Sequence, residues 1–353
     1  MAKSGWKENG IKMLRSLKAV SAAALFAGVL AAQPVIRVDV RLVRVLATVK
    51  NPAGELVGAL NREDFEILDN GAAQQIAVFE RQTDQVLSVA MMVDASGSTA
   101  KDLKYEVESV NRFFKALFAE GNPQDSVALY SFNYQVIRHN FFTHNQAPLE
   151  HSLRLIRGEA GTSMYDAIYL AAHDLERREG RKVMVIVTDG GDTTSVKDFH
   201  AALEAAQLAN AVIYPVLVVP ITNEAGRNIG GENALTTMAA GTGGRVFAPT
   251  LGAELDKAFG DIIKDLRTQY LLGFYPKNVP LTKDRFHRLK VRVRRPDLRV
   301  TARNGYYGES EDDSGSPRAR ISVVPEQTQQ ESQLRQNTAE NPATALPSKP
   351  SKK

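Results

Sequence analysis

The spacing of apolar and polar positions changes character along this chain. Residues 35–49 read Val-Ile-Arg-Val-Asp-Val-Arg-Leu-Val-Arg-Val-Leu-Ala-Thr-Val and largely alternate apolar with charged side chains. That period of two marks a strand with one wet face. Asn51-Pro52-Ala53-Gly54 then turns the chain. Apolar runs over 65–68 and 75–79 flank Asp69-Asn70-Gly71, a strong hairpin signal, so the N-terminal segment reads as a small β unit.

From residue 87 to about 266 the rhythm changes to continuous apolar runs separated by helical periodicity. Buried strands are expected over 87–93, 126–132, 183–187, 212–219 and 245–248, and an antiparallel edge hairpin over 134–140. Helices fit 101–118, 196–208, 233–240 and 251–267. A further helix after Thr162 carries Met164, Ile168, Ala171 and Leu175 along one face. Strands alternating with helices predict a doubly wound α/β sheet that is mostly parallel.

β character returns over 270–276, 287–294 and 298–303, and Asn304-Gly305-Tyr306-Tyr307 closes it. These strands need partners, as do those at the N-terminus. The economical arrangement is one small β-sandwich-like domain formed by N- and C-terminal strands, with the α/β domain inserted in it. The expected boundaries are a β segment over 33–84, the α/β domain over 85–269 and a second β segment over 270–308 that pairs with the first. Residues 309–353 are rich in Ser, Gln, Glu, Pro and Lys and read as a disordered tail.

Residues 1–32 look like an export signal. Lys7, Lys12, Arg15 and Lys18 precede the apolar run 19–30, and small residues follow before Gln33-Pro34. The run is too short for a comfortable membrane span, so a mature chain without a transmembrane span, periplasmic or extracellular, is expected. The 353 residues contain no cysteine, which excludes disulfides, thiolate metal sites and cysteine nucleophiles. A net charge of +4 is modest for this length and gives no case for nucleic acid.

The candidate chemistry lies at strand tips. Asp94-Ala95-Ser96-Gly97-Ser98-Thr99 follows the first buried strand, Gly161-Thr162-Ser163 precedes a helix, and Asp189 ends another buried strand. A carboxylate and two hydroxyls on alternate residues of a tight turn can face one centre, and oxygen-only ligands suit Mg²⁺, Mn²⁺ or Ca²⁺ rather than zinc or copper. Asp, Ser and Gly also make turns and cap helices without any metal. What an isolated cap would not need is the second and third segments. In an open α/β sheet, ligands bind beyond the carboxyl ends of the strands, where strand order reverses.

The five positions resemble the metal-ion-dependent adhesion site of the von Willebrand factor A family, written D-x-S-x-S with a distant Thr and a distant Asp. The resemblance assigns Asp94, Ser96, Ser98, Thr162 and Asp189 as ligands of a Mg²⁺ ion, with Mn²⁺ or Ca²⁺ as alternatives. It implies a Rossmann-like fold and a binding rather than a catalytic role, the ion accepting an Asp or Glu carboxylate from a protein partner. The final helix, 251–267, is the candidate for an affinity switch by the same resemblance. The segments 35–49, 60–65, 79–81, 94–98, 270–275 and 299–307 look like a bacterial, acidobacterial-type subgroup of this family.

Two other classes fit less well. Metal-assisted hydrolysis would use Asp189 or Asp192 as base, but there is no nucleophile with a paired base and no two-metal carboxylate cluster. Ser96 lacks the glycine two positions earlier that a hydrolase elbow requires. The third class is a scaffold of a cell-envelope assembly in which the ion is merely stabilising. His139, His144, His151 and His173 lack zinc-ligand spacing and read as surface or satisfied side chains. Asp166 and Asp192 are divided between assisting the site and serving as helix-start and turn residues. The basic run 285–303 reads as the solvent face of a strand, with a polyanion patch as the alternative.

Overall fold

The computed structural model describes residues 42–81, 85–97, 99, 102–218, 228–250, 252–280 and 285–308. The expected export signal, the first part of the N-terminal strand, Ser98 and the tail therefore lie outside the described residues. Among the described residues no helix is long and apolar enough to cross a membrane.

The central sheet follows from the apolar runs. Strands β5 (Leu87–Asp94), β6 (Ser126–Phe132), β8 (Arg181–Thr188) and β9 (Ala211–Leu217) are parallel, and β7 (Val136–Thr143) is antiparallel to β6 at the edge. The spatial order is β7-β6-β5-β8-β9. β5, β6 and β9 are buried along their whole length because helices cover both faces, which is why these strands show no alternation. Val89, Met91 and Val93 of β5 join a core with α1 (Leu103–Glu120), α2 (Gln146–Leu153) and α6 (Ala253–Thr268). Ala90 and Met92 face the opposite core, with α3 (Met164–Glu176), α4 (Phe199–Leu208) and α5 (Ile229–Thr242).

The two ends of the chain interleave. β1 (Val43–Lys50) pairs with β10 (Tyr270–Phe274) on one side and β12 (Arg299–Ala302) on the other. With β2 (Phe65–Asp69), β3 (Ala72–Gln74), β4 (Ile76–Arg81), β11 (Phe286–Val293) and β13 (Gly305–Tyr307), the sheets β12-β1-β10-β4 and β13-β11-β2-β3 enclose a shared core of Val45, Ala47, Phe65, Ile67, Leu272 and Phe274 among others. This is the sandwich-like domain into which the α/β sheet is inserted. Gln269 ties the two together, its amide donating to Thr48 Oγ1 at 2.9 Å and to the Tyr214 hydroxyl at 3.0 Å. These elements belong to one compact unit ending at Tyr307.

Several expectations are corrected. Residues 245–248 do not form a strand; their backbone pairing with β9 is limited to the Val216–Phe247 bridge, made by the Phe247 amide to Pro215 O and the Leu217 amide to Phe247 O. The Asn70-Gly71 turn is present, with φ of 46° and 86°, but its hairpin joins β2 (Phe65–Asp69) to β3 (Ala72–Gln74) alone. The run expected to complete that hairpin becomes β4 (Ile76–Arg81) and crosses to the other sheet, against β10. Helix α2 was not expected: it is short, and Asn145 caps it by accepting the Ala147 amide at 3.0 Å. Within the basic run, Arg288, Lys290 and Arg292 of β11 (Phe286–Val293) are exposed as expected, whereas Arg303 is buried and donates to Asn210 Oδ1 at 2.8 Å.

Candidate metal centre

Strand order changes direction on either side of β5: the chain runs first to β6 and then returns past β5 to β8. The end of β5 therefore lies beside the end of β8, at the place where open α/β sheets hold their ligands. Asp94 is the last residue of β5 and is fully buried. Its Oδ1 accepts the Ser96 amide at 2.8 Å and its Oδ2 accepts the Thr188 hydroxyl at 2.6 Å. Thr188 Oγ1 in turn accepts the Gly190 amide at 3.0 Å, so one hydroxyl fixes both the Asp94 carboxylate and the turn that carries Asp189.

The loop after β5 is folded by Thr99, whose hydroxyl donates to the carbonyls of Asp94 and Ser96, each at 3.1 Å. The loop before α3 is sewn to its neighbours on both sides. Glu159 donates its amide to Ala95 O at 2.9 Å. The Thr162 amide donates to Thr193 Oγ1 at 3.0 Å, and the amides of Thr193 and Thr194 donate back to Thr162 O at 2.9 and 3.2 Å. Gly161 makes this possible: its φ is +83° and a Cβ there would meet Tyr134 Cβ at 2.9 Å. Asp94, Ser96, Thr162 and Asp189 thus share one end of the sheet on three loops bonded to one another; Ser98, the fifth expected ligand, lies outside the described residues.

Asp166 and Asp192 hold loops. Asp166 accepts the amides of Val196 and Lys197 at 2.9 and 2.8 Å, and Asp192 Oδ1 accepts the Tyr165 amide at 3.1 Å and the Ser195 hydroxyl at 2.6 Å. Two of the histidines are satisfied within the fold: His139 bonds Ser131, and His144 bonds the Asp125 carbonyl.

The electrostatics of this end are one-sided. Burial pushes the Asp94 carboxyl up to about 6, against the opposing hydrogen bonds from Thr188 and Ser96, with the charge of Asp189 adding to the rise. Neither Asp94 nor Asp189 forms an ion pair with a described residue. Among the described residues no group of three or more His, Asp or Glu side chains is placed to hold a metal, so any ion here relies on hydroxyls beside its carboxylates. Such a donor set, oxygen-only with two acids that pair with no described cation, fits a hard divalent ion and not a soft one.

The sequence reading did not single out two residues. Thr188 was hidden by its position next to Asp189, as the last residue of an apolar strand. Glu106 is fully buried on the inward side of α1, and both its carboxylate oxygens lack a hydrogen-bond partner. A signal was present, since Glu106 occupies the first place of the helical stripe continued by Val110, Phe113 and Leu117, where an apolar residue is expected.

Exposed apolar side chains surround these loops. Tyr134 packs its backbone against Gly161, Val196 follows the loop that Asp166 fixes, and Ile229 adjoins Asn228, whose side chain lies against Gly191.

Residues 88–261 match the family model of the von Willebrand factor type A domain, and this part of the chain is such a domain. Among solved structures, the chain is similar to the vWF domain of the type V pili tip protein Mfa5 from Porphyromonas gingivalis, with 16% identity, a TM-score of 0.44, and 52% of this chain and 95% of that one covered. An aerotolerance-related membrane protein from Bacteroides fragilis matches at 19% identity and a TM-score of 0.39, over 51% of this chain and 98% of that one. The PilB minor pilin from Streptococcus sanguinis matches at 14% identity and a TM-score of 0.42, over 54% and 63%. No curated protein matches the chain in sequence.

Proposed function

We propose that this protein is an exported, non-enzymatic binding module in which a divalent ion, Mg²⁺ in the first instance with Mn²⁺ or Ca²⁺ as alternatives, is held by Asp94, Ser96, Ser98, Thr162 and Asp189. The ion accepts an Asp or Glu carboxylate from a protein partner. The observation that supports this reading is the Thr188–Asp94 bond across the switch point, beside which Asp94 and Asp189 form no ion pair with a described residue. Neutral hydroxyls in place of a full carboxylate cage leave the ion electrophilic and able to take an anion. The exposed Tyr134, Val196 and Ile229 supply apolar area around it, which suits a protein surface better than a small ion or metabolite.

Calorimetric titration of Mg²⁺ and Mn²⁺ into chelator-stripped protein, beside Asp94→Ala, tests the proposal. Binding lost in the variant and strengthened by an acidic peptide is the expected result. A wild-type protein that binds neither ion overturns it. Ion binding lost in Asp94→Ala while partner capture survives would leave the ion a stabilising role in a scaffold.

A further inference from the structure

Glu106 sits in the first turn of α1, four residues after its N-cap Asp102, with no exposed surface and, among the described residues, no hydrogen-bond partner for either carboxylate oxygen. Side chains on a helix lean toward its N-terminus, so this carboxyl extends toward the loop that runs from Asp94 to Thr99. Its electrostatic neighbours agree: after burial, the charges of Asp94, Asp102 and Asp189 push it up to about 8. A buried carboxylate with no hydrogen bond and only like charges around it destabilises a fold by several kcal/mol. An apolar residue would continue the Val110, Phe113 and Leu117 stripe without that penalty.

We infer that Glu106 is a counter-charge to the bound ion, placed outside its ligand set, that tightens ion binding and weakens the ion's attraction for a partner carboxylate. The inference rests on the metal-dependent reading above. Two ligand carboxylates neutralise a divalent ion, and a third buried acid at this end leaves a net negative charge once the ion is seated. Ion affinity rises with that charge, and a further anion from a partner is drawn less strongly. Glu106 thus sets the balance between holding the ion and holding the partner, and it does so without touching either.

The test uses the full chain and its Glu106→Gln and Glu106→Met variants, titrated with Mg²⁺ and Mn²⁺ by calorimetry and melted in chelator and in excess ion. Ion affinity is expected to fall about tenfold in each variant, while the melting temperature in chelator rises, most of all for Glu106→Met, because a buried acid without a described hydrogen-bond partner has gone. An acidic peptide added at saturating ion is expected to bind the variants more tightly than wild type. A side chain with a purely structural role would lower the melting temperature in chelator and leave ion affinity unchanged, and either outcome overturns the inference. Wild-type protein that binds no ion overturns the metal reading itself; wild-type binding with unaltered binding in both variants overturns only the role of Glu106.

Discussion

Thr188 Oγ1 donates to Asp94 Oδ2 at 2.6 Å, a bond between the ends of two neighbouring parallel strands. The same oxygen receives the Gly190 amide. A single hydroxyl therefore orients the principal carboxylate and shapes the turn bearing the second one. Thr188→Val, close in volume but unable to donate, is expected to weaken Mg²⁺ binding by about ten- to a hundredfold, as a hydrogen bond to a charged group contributes about 1.5–3 kcal/mol. Thr188→Ser, which keeps the hydroxyl, should restore most of it. Calorimetry on the two variants checks this, and equal affinities in Thr188→Val and wild type would remove Thr188 from the site.

The ion-free protein should lose stability as pH rises from acid to mildly alkaline. Asp94 is raised from 3.8 to about 6 and Glu106 from 4.5 to about 8, both first of all by burial. A carboxyl whose folded value lies above its unfolded one binds more protons in the folded state, so its contribution is favourable below the unfolded value and is lost as pH climbs through the folded one. In chelator, the melting temperature is expected to be higher at about pH 5 than at about pH 8, on the sign of those shifts. Excess Mg²⁺ favours the ionised forms and should shrink or reverse the difference. Melting curves with the same pH dependence in chelator and in ion would contradict this.

Gly231 permits α5 to start against the turn after Asp189. A Cβ there would lie 1.4 Å from the Gly190 carbonyl oxygen, a backbone atom that cannot move without moving the turn. Gly231→Ala should cost about 3 kcal/mol or more by overpacking and weaken ion binding together with stability. Chemical denaturation and titration on the same preparation read both quantities.

The opposite end of the sheet offers a control. Asp125 is buried, accepts the Leu87 amide at 2.8 Å and pairs with Arg267 of α6. Asp125→Ala leaves the partner guanidinium without its charge and is expected to cost about 3–5 kcal/mol. Because Leu87 and Asp94 are at opposite ends of β5, ion affinity in the folded fraction should not change. An ion affinity that falls with stability would show that the two ends of the sheet are coupled.

Much of this was legible in the chain. The apolar runs of β5, β6 and β8 announce strands buried on both faces, since polar positions such as Ser88 and Ser131 are too few to alternate and mark a wet side. Asp94, Ser96, Thr162 and Asp189 stand out as oxygen donors where those runs stop or a helix starts, and Asn70-Gly71 marks its turn because few residues accept its positive φ. These are local facts, set by side-chain period and backbone sterics over a few residues.

Strand order and burial were settled only by the tertiary structure, because pairing between distant segments leaves no periodic trace in either one. That β8 returns beside β5 is what joins Thr188 to Asp94. β4 leaves its expected hairpin to pair with β10, a strand about 190 residues further along the chain, while β2 keeps only the three residues of β3 on that side. Glu106 interrupts the apolar stripe of α1 in the sequence, but only the packing of α1 shows that it is kept in the interior, where the absence of water makes a carboxylate without a described partner significant. The sequence by itself determined most strands and helices of the central sheet and which oxygen-bearing residues stand at its strand ends, and the tertiary structure decided which of them meet and which charges lie buried together.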